Sequence, residues 1–172
     1  ADVTVADDRN DPPNQSVLLS LGHNVTLMSG AFDEDLLHGV DVVAVSPGLS
    51  LDIPLIKAVR AKNIPLISEI SLFIEGMRRL FPTSRLIAIT GSNGKTTVTA
   101  LTAHLLNGAK IPAIACGNIS PSALDALMGV VDGLPQFPQN PQVWVLEISS
   151  FQLETTAKLG ADAALILNIS ED

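Results

Sequence analysis

With 172 residues, 47% of them hydrophobic, the chain is long enough for one large domain or two small ones with real cores. A formal charge of -8 and the absence of tyrosine disfavour nucleic acid, which rewards basic stripes and aromatic stacking platforms. A local nest of backbone N–H groups can still hold a phosphate on an acidic protein. The single Cys116 excludes an internal disulfide and fits a reducing compartment. The longest apolar runs fall far short of the ~20 residues that span a bilayer, and the opening ADVTVADDRN lacks the basic and apolar regions of a signal peptide. These features predict a cytoplasmic chain with no membrane insertion.

In chain order, short apolar runs at 3–7, 24–29, 40–46, 64–68, 85–90, 112–117, 143–149 and 163–170 read as strands. Most are β-branched and continuous rather than alternating, the pattern of parallel strands covered on both faces. Helix candidates lie between them. The segment 52–63 places Ile56, Val59 and Arg60 at helical spacing behind Asp52, a candidate cap. The segment 70–81 stops before Pro82. The segment 95–108 puts Val98, Leu101 and Leu105 on one face and ends at Gly108. DGLPQFPQNPQ, 132–142, reads as a surface loop. Strands alternating with helices predict an α/β fold with two parallel-sheet domains, divided near Ser68 into 1–68 and 69–172.

The most informative stretch is TGSNGKTT, 90–97, between a strand and a helix. The common phosphate-loop pattern would need glycine at position 89, where Ile89 stands, and what remains is G-x-x-G-K-T. Gly91 and Gly94 let backbone N–H groups turn inward, and the following helix N-terminus adds partial positive charge. Lys95 can reach terminal phosphate oxygens, and the Thr96 hydroxyl can ligate Mg²⁺. A plain glycine turn with an exposed Lys95 is the alternative. In VWVLEISSF, Glu147 follows four apolar residues; a charge there is costly unless it is paired or binds metal. It reads as the Mg²⁺ carboxylate, or otherwise as a side chain pointing to solvent from an edge. His23, His38 and His104 have no partners at metal-ligand spacing, and Cys116 reads as a core thiol.

TGSNGKTT together with LEISSFQLE and LNISED resembles the Mur ligases. GNIS (117–120) and SPGLS (46–50) fit the members that add D-glutamate to UDP-N-acetylmuramoyl-L-alanine, as does ISSFQLE. The resemblance covers essentially the whole chain but part of the family's length. It implies a Rossmann-like UDP-binding domain over 1–68 and the first part of a central ATP-binding domain over 69–172. It also implies ATP-dependent amide synthesis in peptidoglycan assembly: ATP phosphorylates the muramoyl-alanine carboxylate, and the D-glutamate amine then displaces phosphate. On this likeness Gly91, Ser92, Asn93, Gly94, Lys95, Thr96 and Thr97 would cradle the phosphates of ATP. Lys95 would stabilise the migrating phosphoryl group, and Thr96 and Glu147 would hold Mg²⁺. Asn118, Gln152 and Ser149 would meet the muramoyl-alanine substrate.

At the UDP end, Asp7 would accept from uracil and Arg9 would pair with phosphate or pack on the base. Ser46, Pro47 and Gly48 would meet the diphosphate. Ordinary turn chemistry is the alternative for both places. The motif shared by the superfamily leaves folylpolyglutamate synthetases open, and the loop alone leaves a kinase-like ATPase or a nucleotide- or UDP-sugar-binding module. A nicotinamide function would need a G-x-G-x-x-G turn ahead of Asp7. Both ends look cut, so the chain is expected to be a piece of a monomeric ligase. By itself it would bind ATP or phosphate weakly and not complete the reaction.

Overall fold

The computed structural model describes residues 2–170. The chain divides into two compact units, one of 1–43 with 50–66 and the other of 44–49 with 67–172. The elements in order are β1 Val3–Asp7, α1 Gln15–Ser20, β2 Val25–Ser29, a 3-10 turn Glu34–Leu37, β3 Val43–Val45, α2 Pro54–Ala61, β4 Leu66–Ser68 and α3 Glu69–Leu80. After these come β5 Arg85–Thr90, α4 Lys95–Gly108, β6 Ala113–Gly117, α5 Ala123–Val131, β7 Val143–Glu147, α6 Ser150–Glu154 and β8 Ala163–Ile166. The fold is α/β with parallel sheets: β1 pairs with β2, β3 pairs with β4, and four strands run in the order β6-β7-β5-β8.

In the second unit strands β5, β6 and β7 are covered on both faces, which is why they read as continuous apolar runs. Alternate residues of β7 point to opposite sides. Trp144 and Leu146 pack with Ile70, Phe73 and Met77 of α3 and with Leu127 and Val130 of α5. Val143 and Val145 meet Ile89 of β5 and Ala103 of α4 on the other side. Phe73 meets the Trp144 ring edge-on, with centroids 5.4 Å apart. The α3 helix starts where the Ser68 hydroxyl accepts from the Ser71 amide at 3.1 Å. It approaches α5 at Gly76, where a Cβ would lie 2.7 Å from Leu127 Cδ2.

Several expectations need correction. The α4 helix does not bury Leu101 and Leu105, which are exposed; its inner face carries Thr99 and Ala103, with Val98 and Leu106 beside them. Small residues let the helix lie close to the sheet, so the face it buries is set by fit and not by the largest side chains. The α2 helix is capped not by Asp52 but at Ile53, with no side-chain bond, and Pro54 opens its first turn. Its Ile56 and Val59 are buried, while Arg60 is exposed.

The runs at 40–46 and 163–170 are trimmed to three and four strand residues. Every residue of β8 is exposed, and β1 and β2 contain no buried residue, so coverage on both faces holds only for β5, β6 and β7. Continuous apolar sequence reports strand tendency, whereas burial depends on what lies over the strand.

Candidate functional site

The phosphate-loop candidate spans the turn from β5 to α4. Thr90 ends the strand, and Gly91 and Gly94 take φ of +144° and +82°, values that side-chain-bearing residues rarely adopt. At Gly91 a Cβ would also meet the Asn168 backbone nitrogen at 3.1 Å. Val98 makes the first α4 bond, donating to the Gly94 carbonyl at 3.1 Å, so the amides of Lys95, Thr96 and Thr97 stand ahead of the helical ladder. Lys95 folds over the loop, its Nζ donating to the Gly91 carbonyl at 2.7 Å and to the Ser92 carbonyl at 3.2 Å.

Not all seven loop residues are equivalent. The Ser92 amide donates to the Asn168 carbonyl at 3.1 Å, and the Asn93 amide donates to Asn168 Oδ1 at 2.8 Å. Those two N–H groups are engaged inside the protein, because the chain after β8 passes under the loop. Within the loop expected to cradle phosphate, Ser92 and Asn93 thus have their amides engaged, while those of Lys95, Thr96 and Thr97 stand at the helix N-terminus.

Glu147 ends β7, a central strand, and is 1% exposed. The alternative of a solvent-facing edge position is thereby excluded. It stands in register between Ile89 of β5 and Gly117 of β6, on the sheet face that carries α4. Its Oε1 accepts from Asn118 Nδ2 at 2.8 Å, and the Asn118 amide donates to the Glu147 carbonyl at 2.9 Å. Oε2 is buried without a hydrogen-bond partner among the described residues, a state shared with Thr99 Oγ1 and Trp144 Nε1. The carboxylate is the costliest of the three to leave bare, because its charge loses hydration. A hard cation seeking oxygen ligands would satisfy it, so the residues present fit Mg²⁺. Gly117 permits the approach: a Cβ there would run into the Glu147 carbonyl oxygen, and its φ is +108°.

Asn118 is thus held against Glu147. Gln152 and Ser149 are engaged with each other: Oε1 of the buried Gln152 accepts from the Ser149 amide at 3.0 Å, and its own amide donates to Ser149 Oγ at 3.2 Å. This is a capping box that starts α6. The segment after Glu147 therefore owes part of its pattern to helix initiation.

In the first unit Asp7 and Arg9 are paired with each other, where the reading of the sequence gave them separate ligand contacts. Arg9 donates from its amide and Nε to Asp7 Oδ1 at 3.0 and 2.8 Å, and from a terminal nitrogen to Oδ2 at 2.6 Å. The guanidinium hydrogen bonds hold the Asp7 carboxyl down at about 2. The Asp7 carbonyl accepts from the Gly30 amide at 2.9 Å. Beside them a cavity of about 90 Å³, lined by Ala6, Met28, Gly30, Phe32 and Asp33, opens at the ends of β1 and β2. Nothing in the sequence marked it, and its volume is well below the ~300 Å³ at which small-molecule pockets begin.

Ser46, Pro47 and Gly48 belong to the second unit and form a turn, with the Leu49 amide donating to the Ser46 carbonyl at 3.1 Å. Among the described residues no group of three metal-ligating side chains forms around the histidines or Cys116. Burial pushes the Cys116 thiol up to about 12, with the Glu69 charge adding to it. The last two residues of LNISED, Glu171 and Asp172, lie outside the described residues.

Comparison with known proteins is consistent across the chain. The N-terminal domain of MurD-like Mur ligases matches residues 1–68, and the Mur ligase middle domain matches 89–172. The UDP-N-acetylmuramoylalanine–D-glutamate ligase of Dechloromonas aromatica is 59% identical over 170 residues, 99% of this chain and 36% of that protein. Its namesake from Nitrosospira multiformis is 44% identical over 173 residues, 99% of this chain and 35% of that protein. The chain thus spans about a third of the length of these curated relatives.

Two solved structures share the fold at low identity. A UDP-N-acetylmuramate:L-alanyl-γ-D-glutamyl-meso-diaminopimelate ligase from Neisseria meningitides has a TM-score of 0.56 at 16% identity, over 98% of this chain and 53% of that one. A UDP-N-acetylmuramate-alanine ligase from Thermotoga maritima has a TM-score of 0.51 at 21% identity, over 98% of this chain and 36% of that one. With both of its parts matched by Mur ligase domains, the chain belongs to the Mur ligase family.

Proposed function

We propose that the chain is the carboxylate-activating part of an ATP-dependent amide-bond ligase of peptidoglycan precursor synthesis, adding D-glutamate to UDP-N-acetylmuramoyl-L-alanine. The observation that carries this reading is Glu147: a fully buried carboxylate with one oxygen unpartnered among the described residues, at the end of the strand beside the one that feeds the glycine loop. Relatives that span the whole chain at up to 59% identity bear the name of that ligase, which supports the choice of substrates.

In this reading the amides of Gly94, Lys95, Thr96 and Thr97 bind the phosphates of ATP. Lys95 exchanges its contacts with the Gly91 and Ser92 carbonyls for the γ-phosphoryl oxygens. Thr96 and Glu147 would hold Mg²⁺, which when bound supplies charge neutralisation at the β and γ phosphates. Asn118 keeps Oε1 of Glu147 turned toward itself, leaving Oε2 for the cation. The substrate carboxylate oxygen bonds to the γ-phosphorus as the bond to ADP breaks, giving an acyl phosphate. The D-glutamate amine then bonds to the acyl carbon, and inorganic phosphate leaves with loss of the amine proton. Asn118, Ser149 and Gln152 line the substrate side. The N-terminal domain, 1–68, takes the UDP end, with Arg9 leaving Asp7 for the ligand. The protein acts as a cytoplasmic monomer.

The test is an assay of the polypeptide as the cell makes it, with ATP, UDP-N-acetylmuramoyl-L-alanine and D-glutamate. Product and phosphate are expected in equal amounts, and Lys95→Ala should lower the rate by about a hundredfold or more. ATP binding without any D-glutamate-dependent product would overturn the ligase reading in favour of a binding module.

A further inference from the structure

The loop is short. It lacks the leading glycine of the common pattern, and Lys95 is the only one of its side chains folded back on its own carbonyls. Its shape is held instead by the chain that follows β8. Asn168 grips Asn93 from both sides: Oδ1 accepts from the Asn93 amide at 2.8 Å, and Nδ2 donates to the Asn93 carbonyl at 3.0 Å. The Asn168 carbonyl takes the Ser92 amide at 3.1 Å. Next to it the Ser170 amide donates to Ser92 Oγ at 3.0 Å, and the Leu167 amide donates to the Thr90 carbonyl at 2.9 Å. Gly91 lies so close to the Asn168 backbone that a Cβ would meet its carbonyl oxygen at 3.2 Å.

We infer that Asn168 is a positioning residue for nucleotide binding, its side-chain amide acting as a two-pronged clamp on the Asn93 peptide that fixes the curvature of the loop. Asparagine suits the task because one planar group presents an acceptor and a donor side by side, matching a peptide's N–H and C=O. A shorter hydroxyl offers one atom, and an acid offers no donor. The clamp leaves the Asn93 amide unavailable to phosphate and aims the next amides, from Gly94 onward, at the ligand. Preorganisation of this kind lowers the ordering cost at binding. Because Asn168 lies two residues beyond β8, the clamp also ties the loop to the strand on the far side of β5 from Glu147.

This inference rests on the proposed binding of ATP, and its test separates the two. Affinity for a non-hydrolysable ATP analogue with Mg²⁺ is measured on the polypeptide as the cell makes it, for wild type, Asn168→Ala and Lys95→Ala. Loss of two exposed hydrogen bonds should weaken analogue binding about tenfold in Asn168→Ala. The KM for UDP-N-acetylmuramoyl-L-alanine and the thermal midpoint should hardly move. Amide exchange at Asn93 in the wild type should be slowed about tenfold or more relative to an unstructured peptide, and the alanine variant should release it.

If wild type and Lys95→Ala bind the analogue equally poorly, the ATP reading fails. If Lys95→Ala loses binding while Asn168→Ala retains it, the clamp alone is overturned. Equal weakening for both substrates with a lowered midpoint would reduce Asn168 to a structural residue and also overturn it. Should Asn168→Ala fail to fold, wild-type exchange decides: an Asn93 amide exchanging at the unstructured rate refutes the clamp, and a protected one upholds it.

Discussion

Two carboxylates close parallel strands in this chain, Asp7 at the end of β1 and Glu147 at the end of β7, and their surroundings differ in kind. Asp7 is partly exposed, and both of its oxygens are taken by Arg9, two residues along the chain. Glu147 is buried in a central strand, has one oxygen on Asn118, and among the described residues keeps the other bare. Both sit where ligands of open α/β sheets gather. Only one is arranged so that a ligand would relieve a cost already present in the fold. Position on the sheet nominates a residue; an unsatisfied buried atom gives the stronger reason for a role.

The largest effect expected from this contrast is on catalysis. Glu147→Gln in the polypeptide as the cell makes it should lower product formation about a hundredfold or more, with its thermal midpoint nearly unchanged. Asp7→Asn should cost less than about tenfold, read mainly in the KM for the UDP substrate. Equal losses from the two substitutions would erase the distinction between the two strand ends.

The packing around Glu147 makes the next prediction. Gly117→Ala would drive a Cβ into the Glu147 carbonyl oxygen and require a φ of +108°, so urea unfolding should show a loss of about 2–4 kcal/mol. Wild-type stability in that variant would mean that the β6-β7 approach is looser than described.

A smaller effect is expected at Asp7. Its folded value is depressed from 3.8 to about 2, so the stability contributed by the Arg9 pair is fully present above pH 3.8 and is lost as pH falls through about 2. Carbon-13 titration of the carboxyl should place its midpoint near 2, and Arg9→Gln should return it toward 3.8. Smallest of all, Cys116 should be inert. With its thiol pushed up to about 12, a disulfide reagent should label it only at the rate of unfolding. Its burial stabilises the protein fully below the ordinary thiol value of 9, and that contribution fades as pH rises toward 12. Rapid labelling of the folded chain would contradict the burial.

The sequence by itself determined the α/β alternation, the place of each strand, the glycine loop and the acidic residue at the end of β7. These signals are local: apolar runs, glycines at fixed spacing, and a lysine and threonines where a helix begins. It also carried the family, through motifs long enough to be specific. Tertiary structure alone decided which face of α4 is buried, because small Thr99 and Ala103 fit the sheet better than Leu101 and Leu105. It alone decided that Glu147 is buried with a bare oxygen among the described residues, whereas the Ser149–Gln152 capping box and the Asp7–Arg9 pair are contacts between near neighbours in sequence. Asn168 is the clearest case. It stands 75 positions from Asn93, and nothing in LNIS says which peptide the side chain will grip. The physical reason is the same throughout: periodicity and spacing act along the chain, whereas satisfaction of a buried or clamped polar group depends on what the fold brings against it.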